Sequence, residues 1–162
     1  MAHPTNNYVS ILFMDVKAAF SSIVPECFFR NMRLRRISEE YINWYRTRMT
    51  GRATTLEFDD YCSPLFQSGS SINQGCPLLA LAFLFYNADT LNIANRKNGE
   101  FALGFINDII LLARGPSFHA AIAKLVNMLE RTGGCLDWSR SHQTEFGIDK
   151  TALIQHRPQG PY

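Results

Sequence analysis

Three apolar runs of strand length, punctuated by Asp15 and by Asn107-Asp108, constrain this chain more than any other feature. Val9 to Met14 is apolar at nearly every position and ends at Asp15. Phe101 to Ile106 and Ile109 to Ala113 flank a two-residue polar tip, Asn107-Asp108. An unbroken apolar run too short for a helix reads as a buried strand. Two such runs around Asn-Asp read as a hairpin, because both tip residues tolerate the positive φ of a tight turn. A chain built this way holds two carboxylates, Asp15 and Asp108, at the ends of buried strands.

The remaining segments supply the cover. Pro25 to Ile37 predicts a helix, with Pro25 suited to its first turn. Ser38 is placed to cap a second helix, Glu39 to Met49, which Gly51 ends. Ala53 to Phe58 predicts a strand, Asp59-Asp60-Tyr61 a turn, and Leu65 to Gln67 a strand that pairs back. Ser68 to Gly75 is a loop. Pro77 opens a long helix to about Ala94 whose first half is apolar almost all round, hence buried. Ser117 caps a helix from Phe118 to about Trp138, weakened by roughly 1 kcal/mol at each of Gly133 and Gly134. Ile148 to His156 predicts a last strand. Helices on one face of a small antiparallel sheet make an α+β fold.

At 162 residues the chain suggests one domain. Its 46% hydrophobic content argues against disorder. The net charge of +2 is too small to argue for nucleic acid by itself. Arg30, Arg33, Arg35, Arg36, Arg46, Arg48 and Arg52 fall in one quarter of the chain, as a phosphate-facing patch or equally as a solvated helix face. The four cysteines match no zinc spacing, and the four histidines are scattered, so both read as structural or surface residues of a reduced protein. The N-terminal residues lack the apolar core of a signal peptide, and the apolar run Leu78 to Tyr86 is too short to span a bilayer. The expectation is an intracellular protein, nuclear or cytoplasmic, that does not engage a membrane.

Two carboxylates at adjacent strand ends are what two-metal nucleotidyl transfer needs. Two divalent ions about 4 Å apart activate a hydroxyl and neutralise the leaving pyrophosphate. Taken singly, Asn107-Asp108 reads equally as a hairpin turn, and Asp15 as a strand-end residue. A third segment, Gln74-Gly75-Cys76-Pro77, lies between them, with a glycine that permits close backbone approach and a proline that starts a helix. In this order the three segments resemble motifs A, B and C of the reverse-transcriptase palm. Agreement extends to Gly51-Arg52-Ala53-Thr54-Thr55, Leu84-Phe85-Tyr86-Asn87-Ala88-Asp89 and Cys135-Leu136-Asp137-Trp138. The chain is similar to RNA-directed DNA polymerases of non-long-terminal-repeat retrotransposons, particularly fungal ones. The likeness spans residues 9–157, with a lead-in at 1–8 and a tail at 158–162.

The resemblance implies roles residue by residue. Asp15 stands at the motif A metal ligand, assisted by the backbone carbonyl of Val16. Phe20 stands at the aromatic gate that disfavours a ribose 2′-hydroxyl; by itself it reads equally as a core phenylalanine. Gln74 and Gly75 stand at positions that contact nucleotide and template. Lys150 resembles the motif D lysine near the pyrophosphate; by itself it is a surface lysine. Asp108 matches the second Asp of motif C. The implied cofactor is a pair of Mg2+ ions, and the implied partners are an RNA template, a DNA primer and deoxynucleotides. The chain departs from the pattern where it matters most. Asn107 replaces the first Asp of motif C, a neutral group for the more critical ligand. Losing about 4 kcal/mol of transition-state stabilisation there would slow the reaction about 10³-fold. Cys76, Ser21, Asn73 and Ala80 are milder departures, and the fingers and thumb are expected to be missing. The resemblance therefore implies a truncated palm that has lost polymerisation. The alternatives are a weak working polymerase and a non-catalytic domain that binds nucleic acid or protein.

Overall fold

A computed structural model of the chain describes residues 8–20, 23–67 and 78–157. The expected α+β layout is present. Strand β1 (Tyr8–Lys17) lies inside an antiparallel sheet. On one side it pairs along its length with β7 (Asp108–Gly115), which pairs in turn with β6 (Glu100–Phe105). On the other side it pairs first with β9 (Ala152–His156), from Val9 to Phe13, and then with β8 (Glu145–Phe146), at Val16 and Lys17. The helices α1 (Pro25–Leu34), α2 (Glu39–Met49), α3 (Leu78–Asn87), α4 (Phe118–Glu130) and α5 (Cys135–Ser141) complete the fold. α4 packs on β1 and β7, α3 on β6 and α1, and α5 on α4.

The core forms between the helices and one face of the sheet. Met14, Val16, Ile109, Leu111 and Ala113 alternate onto that face and are buried, together with Phe28, Phe83, Tyr86 and Met128. Each large side chain so placed contributes about 1.5–3 kcal/mol. The opposite face carries no helix. Val9, Ile11, Phe13, Ile110 and Leu112 are only half-buried there, and Leu103 and Phe105 are exposed. The fold thus covers one face of the sheet with helices, as the sequence reading expected.

Several boundaries differ from expectation, each for a local reason. α1 stops at Leu34 and not Ile37, and Arg36 then takes φ 59. α3 ends at Asn87 and continues as two short 3-10 turns, Ala88–Asn92 and Arg96–Asn98, where a single helix to Ala94 was predicted. The helix from Phe118 breaks at Arg131 and restarts as α5. Gly133 is left-handed there (φ 74), and a Cβ at Gly134 would lie 2.6 to 2.8 Å from the carbonyls of Met128, Arg131 and Leu129. No other residue fits at Gly134 without moving backbone. The last strand starts at Ala152 because Ile148–Lys150 is a 3-10 turn. Ser117 caps α4 through its side chain to the Ala120 N–H, whereas Ser38 precedes α2 with no side-chain cap. The predicted strand Ala53 to Phe58 divides into β2 (Ala53–Thr54) and β3 (Glu57–Phe58), which pair with β5 (Phe66–Gln67) and β4 (Tyr61–Cys62) as one outer hairpin. No helix among the described residues is long and apolar enough to cross a membrane.

Candidate active site

The register of β1 on β7 sets Asp15 directly opposite Asp108. Their neighbours Met14 and Ile109 point to the core, so alternation sends both carboxylates to the uncovered face. The sequence expectation that two strand ends meet is therefore met. The hairpin tip is not where the sequence placed it. Asp108 pairs with Phe105, so the two turn residues are Ile106 and Asn107, not Asn107 and Asp108.

That shift by one residue puts a β-branched side chain in the left-handed region, with φ 54 at Ile106. Positive φ at the first turn residue alone is the type II′ pattern, where glycine ordinarily sits. Such strain, on the order of 1–3 kcal/mol, persists only where the surroundings hold it. Asn87, at the end of α3 and almost fully buried, donates from Nδ2 to the Ile106 carbonyl. The Val16 N–H donates to the Asn107 carbonyl at 3.0 Å. Thus α3 grips one turn peptide and β1 grips the next. Asn87 entered the sequence reading only within the Leu84 to Asp89 likeness, with no role given to it. Its signal was a polar side chain ending an otherwise apolar helix.

The turn delivers the Asn107 side chain onto Asp15. Asn107 Nδ2 donates to Asp15 Oδ1 at 2.8 Å, and Lys150 Nζ donates to Asp15 Oδ2 at 3.1 Å. The amide must present nitrogen, since its oxygen would repel a carboxylate at that distance. Lys150 reaches the site because the Gly147 N–H donates to the Asp15 carbonyl at 2.8 Å, which docks the 3-10 turn Ile148–Lys150 against the end of β1. The Asp15 side chain is 15% exposed and Lys150 is 63% exposed. Asp108, also exposed, has no hydrogen-bond or ion-pair partner among the described residues.

Two concavities adjoin Asp15. One, of about 280 Å³, is lined by Asp15, Val16, Ala18, Phe20, Asn107 and Lys150. Phe20 lines this space with Asp15 and packs edge-on against Phe83 of α3, with ring centroids 5.7 Å apart. Val16 lines the same space, but its side chain belongs to the core. The other, of about 480 Å³, opens on the uncovered face between Phe13, Phe105, Asp108 and Ile110. Five predicted residues, Asp15, Val16, Phe20, Asn107 and Lys150, thus meet in one place, and Asp108 stands beside them. Gln74 and Gly75 lie outside the described residues.

The arginine cluster proves largely self-satisfied. Arg33 pairs with Glu39, which holds the Glu39 carboxyl below its usual range. Arg35 and, at 4.0 Å, Arg30 approach Asp89. Arg46 and Arg48 stack on Phe29 and Trp44. The patch reading gains nothing from this arrangement.

The same arrangement of elements is found in solved structures. It matches telomerase from Candida tropicalis in complex with the TWJ fragment of telomeric RNA, with a TM-score of 0.62, 9% identity and 94% of this chain covered. It also matches telomerase from Candida albicans in complex with the TWJ fragment of telomeric RNA, with a TM-score of 0.66, 10% identity and 90% covered. The chain has the α+β fold of a polymerase palm. Apo telomerase from Candida tropicalis, truncated from its C-terminal domain, matches at a TM-score of 0.61, with 12% identity over 92% of the chain. The palm spans 27% to 31% of the length of those chains. No protein-family model and no curated protein matches it.

Proposed function

We propose that this palm descends from an RNA-directed DNA polymerase of the non-long-terminal-repeat retrotransposon type and no longer transfers nucleotides. The reading rests on one observation: Asn107 gives Asp15 a hydrogen bond where a second carboxylate would share a metal ion with it. Lys150 takes the other oxygen of Asp15. One carboxylate, Asp108, is left free, and among the described residues no three His, Cys, Asp or Glu side chains are grouped for one ion. Two carboxylates remain for a pair of Mg2+ ions, and both oxygens of one, Asp15, are already engaged, so the set is poorly suited to hold them. The Lys150 ammonium brings the positive charge, and the Asn107 amide a hydrogen bond, to the carboxylate that a metal would otherwise share.

What remains is a binding surface. An aromatic, Phe20, stands over a polar concavity with Lys17 and Lys150 at its rim, a combination suited to a sugar–phosphate strand. An RNA template with a DNA primer is the ligand the palm fold favours; deoxynucleotides would enter only as incidental ligands.

Primer extension on an RNA template with magnesium, then manganese, tests this reading. The wild-type chain is expected to extend nothing, while a labelled primer–template binds and is released as salt rises. Magnesium-dependent extension by the wild type, abolished by Asp15→Ala, would overturn it. Extension by Asn107→Asp alone would show one amide to be the whole lesion.

A further inference from the structure

We propose that the cleft between α2 and α3 binds a trimethylammonium group carried on a small molecule. The reading does not depend on the fate of the polymerase activity. The cleft, of about 390 Å³, is lined by Tyr41, Trp44 and Tyr45 of α2 and by Phe85 of α3, with Glu40 beside them. That volume lies within the range of about 300–1,000 Å³ that small-ligand sites span. Positions 40, 41, 44 and 45 share one face of α2, because residues three and four apart are neighbours on a helix. Tyr41 and Trp44 are 64% and 39% exposed, so this face brings two large rings to the surface. The Trp44 and Tyr45 rings stand nearly perpendicular, at 86°, with centroids 5.0 Å apart. Rings set at right angles make two walls of a corner.

The polar groups at the cleft select the occupant. Glu39 is taken by Arg33, whereas Glu40 is exposed and has no ion-pair or hydrogen-bond partner among the described residues. No lysine or arginine among the described residues lines the cleft. Ring faces and an unpaired carboxylate together attract a cation. An ordinary ammonium or guanidinium needs an acceptor for each N–H. The cleft offers few, and one of them, the Leu78 carbonyl, already accepts from the Tyr45 hydroxyl at 3.4 Å. A trimethylammonium group has no N–H and presents methyls to the apolar lining. Arg48 stacks on the same indole, 4.4 Å from the ring centroid, without lining the cleft. It shows that this ring takes a cation, and its charge holds the expected affinity to the millimolar range. Both walls are helices, whose backbone groups are bonded within the helix, so a peptide backbone finds no partner along them. The occupant is therefore a compact head group and not a length of chain.

Calorimetric titration of the full chain with choline tests the proposal, with far-UV circular dichroism reporting that each variant is folded. Choline is expected to bind saturably at millimolar concentration. Dimethylbutanol, its uncharged isostere with carbon in place of nitrogen, should bind about tenfold more weakly, the contribution of a cation–π contact. Trp44→Leu should abolish binding. Glu40→Gln, a change at an exposed position, should weaken it about threefold. Equal binding of dimethylbutanol would make the cleft a plain apolar groove and overturn the proposal. No saturable heat with choline, or wild-type binding by both Trp44→Leu and Glu40→Gln, would overturn it equally. Tighter binding of acetyl-trimethyllysine amide than of choline would overturn the assignment to a small molecule and make a protein side chain the carrier.

Discussion

The molecule carries two hairpins that turn on a left-handed residue, and they differ in what holds the turn. The outer hairpin, Ala53–Gln67, turns through Asp59 at φ 50, a residue type that tolerates the conformation. Its strands are two residues long and exposed, so little else depends on it. The inner hairpin, Glu100–Gly115, turns through Ile106 at φ 54, which a β-branched residue resists. There the conformation is imposed by Asn87, by Val16 and by a full ladder onto β1. Local preference decides the first turn, and tertiary tethers decide the second. The tethered one carries the candidate site.

The largest expected effect lies at the root of the inner hairpin. Glu100 is fully buried at the start of β6 and bonds Arg131, Asn98 and the Asn95 N–H. Arg131→Ala strands that carboxylate and should cost about 3–5 kcal/mol in urea denaturation. A loss near zero would mean the hairpin is held from its tip alone. Asn87→Ala removes one tether and orphans the Ile106 carbonyl, for about 1–3 kcal/mol. Backbone strain itself is isolated by comparing glycine with alanine at each turn. At position 106 the Gly variant should exceed the Ala variant by about 1 kcal/mol. At position 59 the same comparison should move global stability by less than about 0.5 kcal/mol, because the outer hairpin opens independently of the core. Equal differences at both sites would remove the distinction between them.

A pH scan reads the same contrast as a slope. Burial pushes the His142 pKa below its ordinary value, partly offset by the Trp138 carbonyl. The unfolded chain therefore binds the proton first as pH falls. Stability is full above about pH 6.5 and declines as pH drops through that value toward the folded pKa. Amide exchange should show the inner hairpin losing protection over this range, with the outer hairpin unprotected throughout. A flat profile, or one unchanged by His142→Gln, would contradict the assignment.

Much of this was legible in residue pattern. The apolar runs located β1, β6 and β7, and helix α2 lies at its predicted bounds, Glu39–Met49. Asp15 and Lys150 were named from motif likeness, and the fold brings them within 3.1 Å. The turn register was not legible, because Asn-Asp is locally the better turn and only Asn87 and the β1 ladder override it. Nor was the break before α5, since two glycines read as mere weakness where one makes a sharp reversal and the other a close approach. The one-sided cover was legible too: helices on one face of a small antiparallel sheet were expected, and the fold covers one face.

The position of β1 in the sheet also governs how the chain reaches this structure. Strand Tyr8–Lys17 finds its partners far along the chain, at Asp108–Gly115 and Ala152–His156. At about 5–20 residues per second, the ribosome withholds the final partner for on the order of ten seconds. During that interval a largely apolar strand has no sheet to join. A topology this nonlocal is slow to form. A chaperone that shields this strand until its partners emerge would raise the yield of folded protein.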